Sequence, residues 1–152
     1  MKTVVMVAAL LAVFALQPVS AAEKRAASGK SCYTPAAIEA EQAIRFMTDV
    51  MIVSSECQDT IYAQFRLRNK DAIIEYQKAM IAHFHSKDAF DSWNTSLANE
   101  ASRQQAGKPS AQICQQAAEL MKQASRLDAK ALHEYAAAKA AASGASYTRC
   151  GK

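Results

Sequence analysis

Turn-forming residues are scarce in this chain, with only four glycines and three prolines in 152 residues. That leaves little material for the hairpins and tight corners of a sheet protein. No stretch alternates apolar and polar residues as a half-buried strand would. There is no Cys-x-x-Cys, which removes a thioredoxin-like dithiol site, and no Cys-x-x-Cys-His, which removes covalently attached haem. A Gly-x-Ser-x-Gly elbow, a His-Glu-x-x-His pair and a glycine-rich phosphate loop are all missing, and with them the common signatures of nucleophilic hydrolases, zinc peptidases and nucleotide-binding enzymes. Neither sign of charge dominates. The formal net charge is +4, and the signs are interspersed, as on a solvated surface; no nucleic-acid partner is expected. Beyond residue 22 no apolar run approaches the roughly 18 residues that a spanning helix needs, so no membrane span is expected in the mature chain.

What is present begins with an export signal. Lys2 supplies a positive start, Val4 to Leu16 form an apolar run of 13 residues, and Ser20-Ala21-Ala22 gives a small-residue cleavage site. Residues 1–22 are therefore read as a signal peptide, and the protein as periplasmic or secreted. Residues 23–31 are small, polar and unperiodic, and are read as a flexible tail. Residues 32–150 are left as one helical domain, long enough to bury a core.

Four long helical regions follow from periodicity. Thr34 and Pro35 start the first as N-cap and first helical residue. Ile38, Ala40, Ile44, Met47 and Met51 share one face of it, and the serines at 54 and 55 suggest that it ends or bends there. The second region runs from about Asp59 to His85. It carries one apolar patch at Ile61, Tyr62 and Phe65 and another at Ile73, Tyr76, Met80, Ile81 and Phe84. A break is expected near Arg68-Asn69, with Asn69 as a possible cap. Ser86 caps the third region, in which Phe90, Trp93, Leu97 and Ala101 repeat at helical spacing, and Gly107-Lys108-Pro109 ends it. Ser110 caps the fourth, with Asp128 able to start a separate final helix and Ser143-Gly144 stopping it. The expected class is all-α, a disulfide-stapled antiparallel bundle of these four regions, one or two of them kinked or broken.

Four cysteines in an exported chain imply two disulfides. A first helix of roughly 20 residues is about 30 Å long at 1.5 Å per residue, whereas bridged Cα atoms lie within about 7 Å. Cys32 and Cys57 therefore cannot pair with each other. In an up-and-down bundle the chain brings Cys114 back to the end that holds Cys57, and Cys150 to the end that holds Cys32. The expected pairs are Cys57–Cys114 and Cys32–Cys150.

Candidate chemistry is sparse. His83 and His85 are two apart and point away from each other on a helix; only a frayed end would bring His85, Asp88 and Asp91 together around a metal. Paired carboxylates such as Glu39 with Glu41 read as solvated helix charges. His133, beside Glu134, reads as a surface or boundary residue. A bundle core could hold haem or a small apolar ligand, with Met47, Met51, Met80, Met121 and His133 available, although a methionine stripe at helical spacing is ordinarily packing. The densest polar-aromatic stretch surrounds Trp93, Asn94 and Asn99, a candidate binding face. No catalytic residue, metal or cofactor is expected.

Glu56-Cys57 leading to Tyr62, Ala82-His83-Phe84 and Ser96-Leu97-Ala98-Asn99-Glu100, together with the signal peptide, resemble small exported helical proteins of Gram-negative bacteria that carry no assigned function. The resemblance implies an exported helical fold and no site residues. The functional expectation is a non-catalytic binding or interaction protein that uses a helix face or an inter-helix groove to hold an unknown protein or a small apolar ligand. A carrier of an apolar ligand or haem is the alternative, and an unrecognised enzyme the second.

Overall fold

The computed structural model describes residues 32–150; the signal peptide expected at 1–22 and the tail expected at 23–31 lie outside them. Seven α-helices follow in order: α1 Pro35–Cys57, α2 Ile61–Arg68, α3 Lys70–Phe84, α4 Lys87–Gln105, α5 Ser110–Gln116, α6 Ala118–Arg126 and α7 Ala129–Ser143. A 3₁₀ turn, Gly144–Ser146, closes the last helix. The fold is all-α. Among the described residues the sole sheet-like feature is one isolated parallel bridge between Tyr33 and Arg149.

The helix α1 is the axle. It packs against α3, α7, α4 and α5, and its middle is buried on several sides at once, by Ala40, Ala43, Ile44, Phe46, Thr48, Val50 and Val53. This corrects the single apolar face expected from its sequence. Phe46, Val50 and Val53 form a further apolar face, and Ala37 and Ala43, which carry little hydropathy signal, are buried as well. Two clusters gather round the axle. One joins Phe46, Val50 and Val53 to Phe65, Ile113, Met121, Ala124, Leu127 and Leu132. The other joins Ala40 and Ile44 to Met80 and Phe90, with Phe84, Trp93 and Leu97 packed against it.

Thr34 caps α1 through its hydroxyl, which accepts from the Ala37 amide at 3.1 Å. The helix does not stop at the serines but continues to Cys57. Ser54 is buried, and its hydroxyl donates to Asp59 and accepts from the Tyr62 amide at 3.3 Å. That polar group is satisfied by the following turn and does not compete for helix hydrogen bonds.

The break in the second region falls at Asn69, between α2 and α3, but Asn69 does not cap α3 with its side chain. Its amide nitrogen donates instead to the Phe65 carbonyl at 2.9 Å and to the Leu127 carbonyl at 3.0 Å. Ser86 caps α4 as expected, accepting from the Ala89 amide. Gly107 adopts a left-handed φ of 78° after α4, a conformation that glycine tolerates without a Cβ penalty. In the fourth region Pro109, not Ser110, occupies the N-cap position. A break at Ala117 separates α5 from α6 without any glycine or proline to announce it. Asp128 then caps α7, accepting from the Ala131 amide at 2.9 Å.

Cys32 is bridged to Cys150, with Cα atoms 4.7 Å apart, and Cys57 to Cys114 at 5.7 Å. The first bridge lies at the start of α1 and the second at its end, so opposite ends of the axle are each tied to a remote part of the chain. At the first end Gly144 sits under Arg149, whose guanidinium occupies the space a Cβ would need.

Candidate functional site

The break at Asn69 shapes the surface. Beyond it α3 packs against α4, while before it α2 packs against α6. The chain therefore veers away from α4 as it is traced back into α2, and a groove opens in the gap. Its floor is Met47, Thr48 and Met51 of α1. One wall is Tyr62, Arg66 and Leu67 of α2 with Lys70, Ile73 and Ile74 of α3; the other is Asn94 and Ala98 of α4. The volume is about 780 Å³, within the range of small-molecule sites.

Two features distinguish the groove. Leu67 is 79% exposed and Ile74 37% exposed, and these are the large hydrophobic side chains left exposed among the described residues. Both stand on its wall. The charged residues lining it are Arg66 and Lys70, without a carboxylate. The Arg66 guanidinium lies over the Tyr62 ring, 5.7 Å from its centroid, an arrangement in which the ring face attracts the cation.

A second cleft, of about 260 Å³, lies between α1, α4 and α5. Its rim is polar, with Asp49, Gln104, Gln105, Lys108 and Gln116, over an apolar base that includes Val53 and Ile113.

The polar residues of α1 form two further arrangements. Glu41 is 3% exposed, and its Oε1 accepts from Arg45 at 2.6 Å. Its Oε2 is buried without a hydrogen-bond partner among the described residues. Burial and the nearby Glu41 carboxylate push the Tyr33 hydroxyl up to about 12 and raise Tyr147. Tyr33 also stacks on His83, with ring centroids 4.0 Å apart, and burial lowers the His83 pKa. Two residues earlier, Glu39 Oε1 accepts from the Tyr76 hydroxyl at 3.1 Å and lies 2.7 Å from His133 Nδ1. The expectation of two solvated carboxylates is thus corrected: Glu41 is core and Glu39 bridges α1 to α3 and α7.

The three residues of the expected binding face go separate ways. Asn94 lines the groove. Trp93 packs into the aromatic cluster, 5.6 Å from Phe84 and 5.9 Å from Phe90 between ring centroids. Asn99 is exposed and borders none of these hollows. Five residues along a helix turn a side chain through about 140°, so Asn94 and Asn99 cannot share a face.

The methionines are likewise divided. Met47 and Met51 line the groove, whereas Met80 and Met121 are buried in different core clusters. His133 is held by Glu39 on α7, and no histidine lines the groove. The His85, Asp88 and Asp91 grouping does not form: no cluster of three metal-ligating side chains occurs among the described residues.

No protein-family model, curated protein or solved structure matches this chain. Its groove must be read from its own residues. Leu67, Ile74, Arg66 and Lys70 were not singled out from the sequence. The available signal was that Leu67 and Ile74 are large apolar residues left off both apolar patches of their region.

Proposed function

We propose that the protein is an exported, non-catalytic binding protein whose site is the groove between α1, α2, α3 and α4. The antiparallel bundle, stapled at both ends, serves as its rigid scaffold. One observation carries this reading: both of the large hydrophobic side chains left exposed among the described residues stand on the wall of the same 780 Å³ hollow. Exposed apolar surface gathered in a concavity, and not scattered singly, is the mark of a binding site. A ligand that covered Leu67 and Ile74 would gain about 1.5–3 kcal/mol for each side chain fully buried. The two disulfides suit an oxidising compartment. Among the described residues no helix is long and apolar enough to cross a membrane.

The test is a titration with the neutral fluorophore N-phenyl-1-naphthylamine. The expected result is saturable binding to one site, weakened at least about tenfold by Leu67→Glu and by Ile74→Glu. Both positions are exposed, so neither change should alter helicity. Absence of saturable binding, or binding indifferent to both substitutions, overturns the proposal.

A further inference from the structure

The groove is mostly apolar but not electrically neutral. Its charged lining residues, Arg66 and Lys70, are both cationic. They are four residues apart and lie on either side of the break, Arg66 in the last turn of α2 and Lys70 as the first residue of α3. Neither takes part in any of the ion pairs among the described residues. Arg68, Lys108, Arg126, Lys139 and Arg149 also stand outside those pairs, whereas the other cations of this surface have a carboxylate partner. Lysines 78, 87, 122 and 130 and Arg103 each pair with a carboxylate three or four residues away on the same helix. At the groove the equivalent partner is missing, and Arg66 rests on an aromatic ring instead.

From this juxtaposition we propose that the groove binds an amphiphilic anion: a linear alkyl chain carrying one carboxylate, the chemistry of a medium- or long-chain fatty acid. The proposal rests on the groove being a binding site and adds the class of ligand. The chain lies over Met47, Met51, Ile73 and Ile74. Unbranched methionine side chains adapt to a flexible chain without fixing its shape. The head is held at the α2–α3 break between Arg66 and Lys70. A guanidinium can grip both carboxylate oxygens at once, and the ammonium adds a point charge beside it. The amides of Asn94 and Gln77 also line the hollow and can donate to a polar head that is set deeper.

The complementarity predicts an order of ligands. Decanoate should bind more tightly than 1-decanol, and both more tightly than decyltrimethylammonium, because the alkyl contribution is common to all three and only the head changes. Each added methylene that is covered should tighten binding by roughly three- to fourfold. The preference for the anion should shrink with salt, since the two cations are at the surface and screened beyond about 10 Å at 0.1 M.

The experiment is displacement of N-phenyl-1-naphthylamine from the full mature protein by these three compounds, at 20 and 200 mM salt. It is repeated on an Arg66→Gln, Lys70→Gln double variant. Decanoate stronger than decanol by about fivefold or more at low salt, with the difference lost in the double variant, is the expected result. Equal affinity for decanoate and decanol, or a preference for the cation, overturns the anionic ligand while leaving the groove as a binding site. No displacement by any of the three, with no fluorophore bound, overturns both readings. An anion preference that survives the double variant places the head elsewhere and overturns the assignment to Arg66 and Lys70.

Discussion

The side-chain amide of Asn69 donates to the carbonyl of Leu127, 58 residues further along the chain, at 3.0 Å. Asn69 is fully buried and also donates to the Phe65 carbonyl one turn earlier. A single polar side chain thus fastens the break between α2 and α3 to the junction between α6 and α7. Arg68 reinforces it by donating to the Ala124 carbonyl at 2.9 Å. This attachment holds α2 against α6 and away from α4, and so keeps the groove open.

Replacing Asn69 with alanine leaves the Leu127 carbonyl buried without its donor. The expected cost is about 1–3 kcal/mol, the penalty for an unmet buried hydrogen bond. The groove should suffer as well, because α2 is no longer pinned. Urea unfolding should show the stability loss, and fluorophore affinity should fall in the same variant at urea concentrations where it remains folded. Unchanged stability would show that the Asn69–Leu127 bond does not hold the break.

The Glu41–Arg45 pair is asymmetric, with Glu41 at 3% side-chain exposure and Arg45 at 45%. Arg45→Ala leaves a buried carboxylate without its cation, whereas Glu41→Gln leaves a cation that can still reach water. Arg45→Ala should therefore be the more damaging, by about 2 kcal/mol after allowing for the exposure of the guanidinium. The joint replacement Glu41→Leu with Arg45→Met should recover most of that loss, since a buried pair exchanged for packed apolar groups is often neutral. Chemical denaturation of the four proteins settles the order.

His83 gives stability a dependence on acid. Its ring is flanked by Tyr33 and Phe84. Burial lowers its pKa from the ordinary 6.5, the Glu41 carboxylate opposes that shift, and the His85 imidazole adds slightly to it. Between its folded and unfolded values the unfolded chain binds the extra proton, so stability rises with pH. The contribution is complete above about 6.5 and is lost as the pH falls through the lower, folded value. His83→Phe should flatten the part of the stability curve that falls just below pH 6.5. The same slope in the variant would place its origin in other groups.

The two disulfides close long stretches of chain, 118 and 57 residues apart in sequence. In the chain-entropy model they contribute roughly 5 and roughly 4 kcal/mol respectively. Their local consequences should differ. Loss of Cys32–Cys150 releases the Tyr33 and Tyr147 segment from Glu41, so at least one tyrosine that ionises late should return towards pH 10 in an absorbance titration. Loss of Cys57–Cys114 should leave those tyrosines as they are and lower the melting temperature alone. Identical titrations of the two double-serine variants would contradict this division.

Much of the architecture was legible because it is written in local chemistry. Thr34, Ser86 and Asp128 cap helices because their side chains offer an oxygen to an amide two or three residues on, which depends on nothing distant. The position of the Asn69 break could be read, but its partner could not. Leu127 is remote along the chain, and a lone asparagine looks the same whether it caps a helix or bonds across the core. The break at Ala117 carries no marker in alanine-rich sequence. The burial of Glu41 is not legible in the sequence, because hydropathy records the residue and not the neighbours that bury it.

Periodicity and capping residues decided by themselves that this protein is helical, and the fixed rise of a helix decided that Cys32 and Cys57 cannot pair with each other; the choice between the two remaining pairings depended on how the helices are arranged. The groove was decided only in three dimensions. Leu67, Ile74, Arg66 and Lys70 line one hollow because α3 packs on α4 while α2 packs on α6, and that divergence is a balance of contacts between segments far apart in the chain.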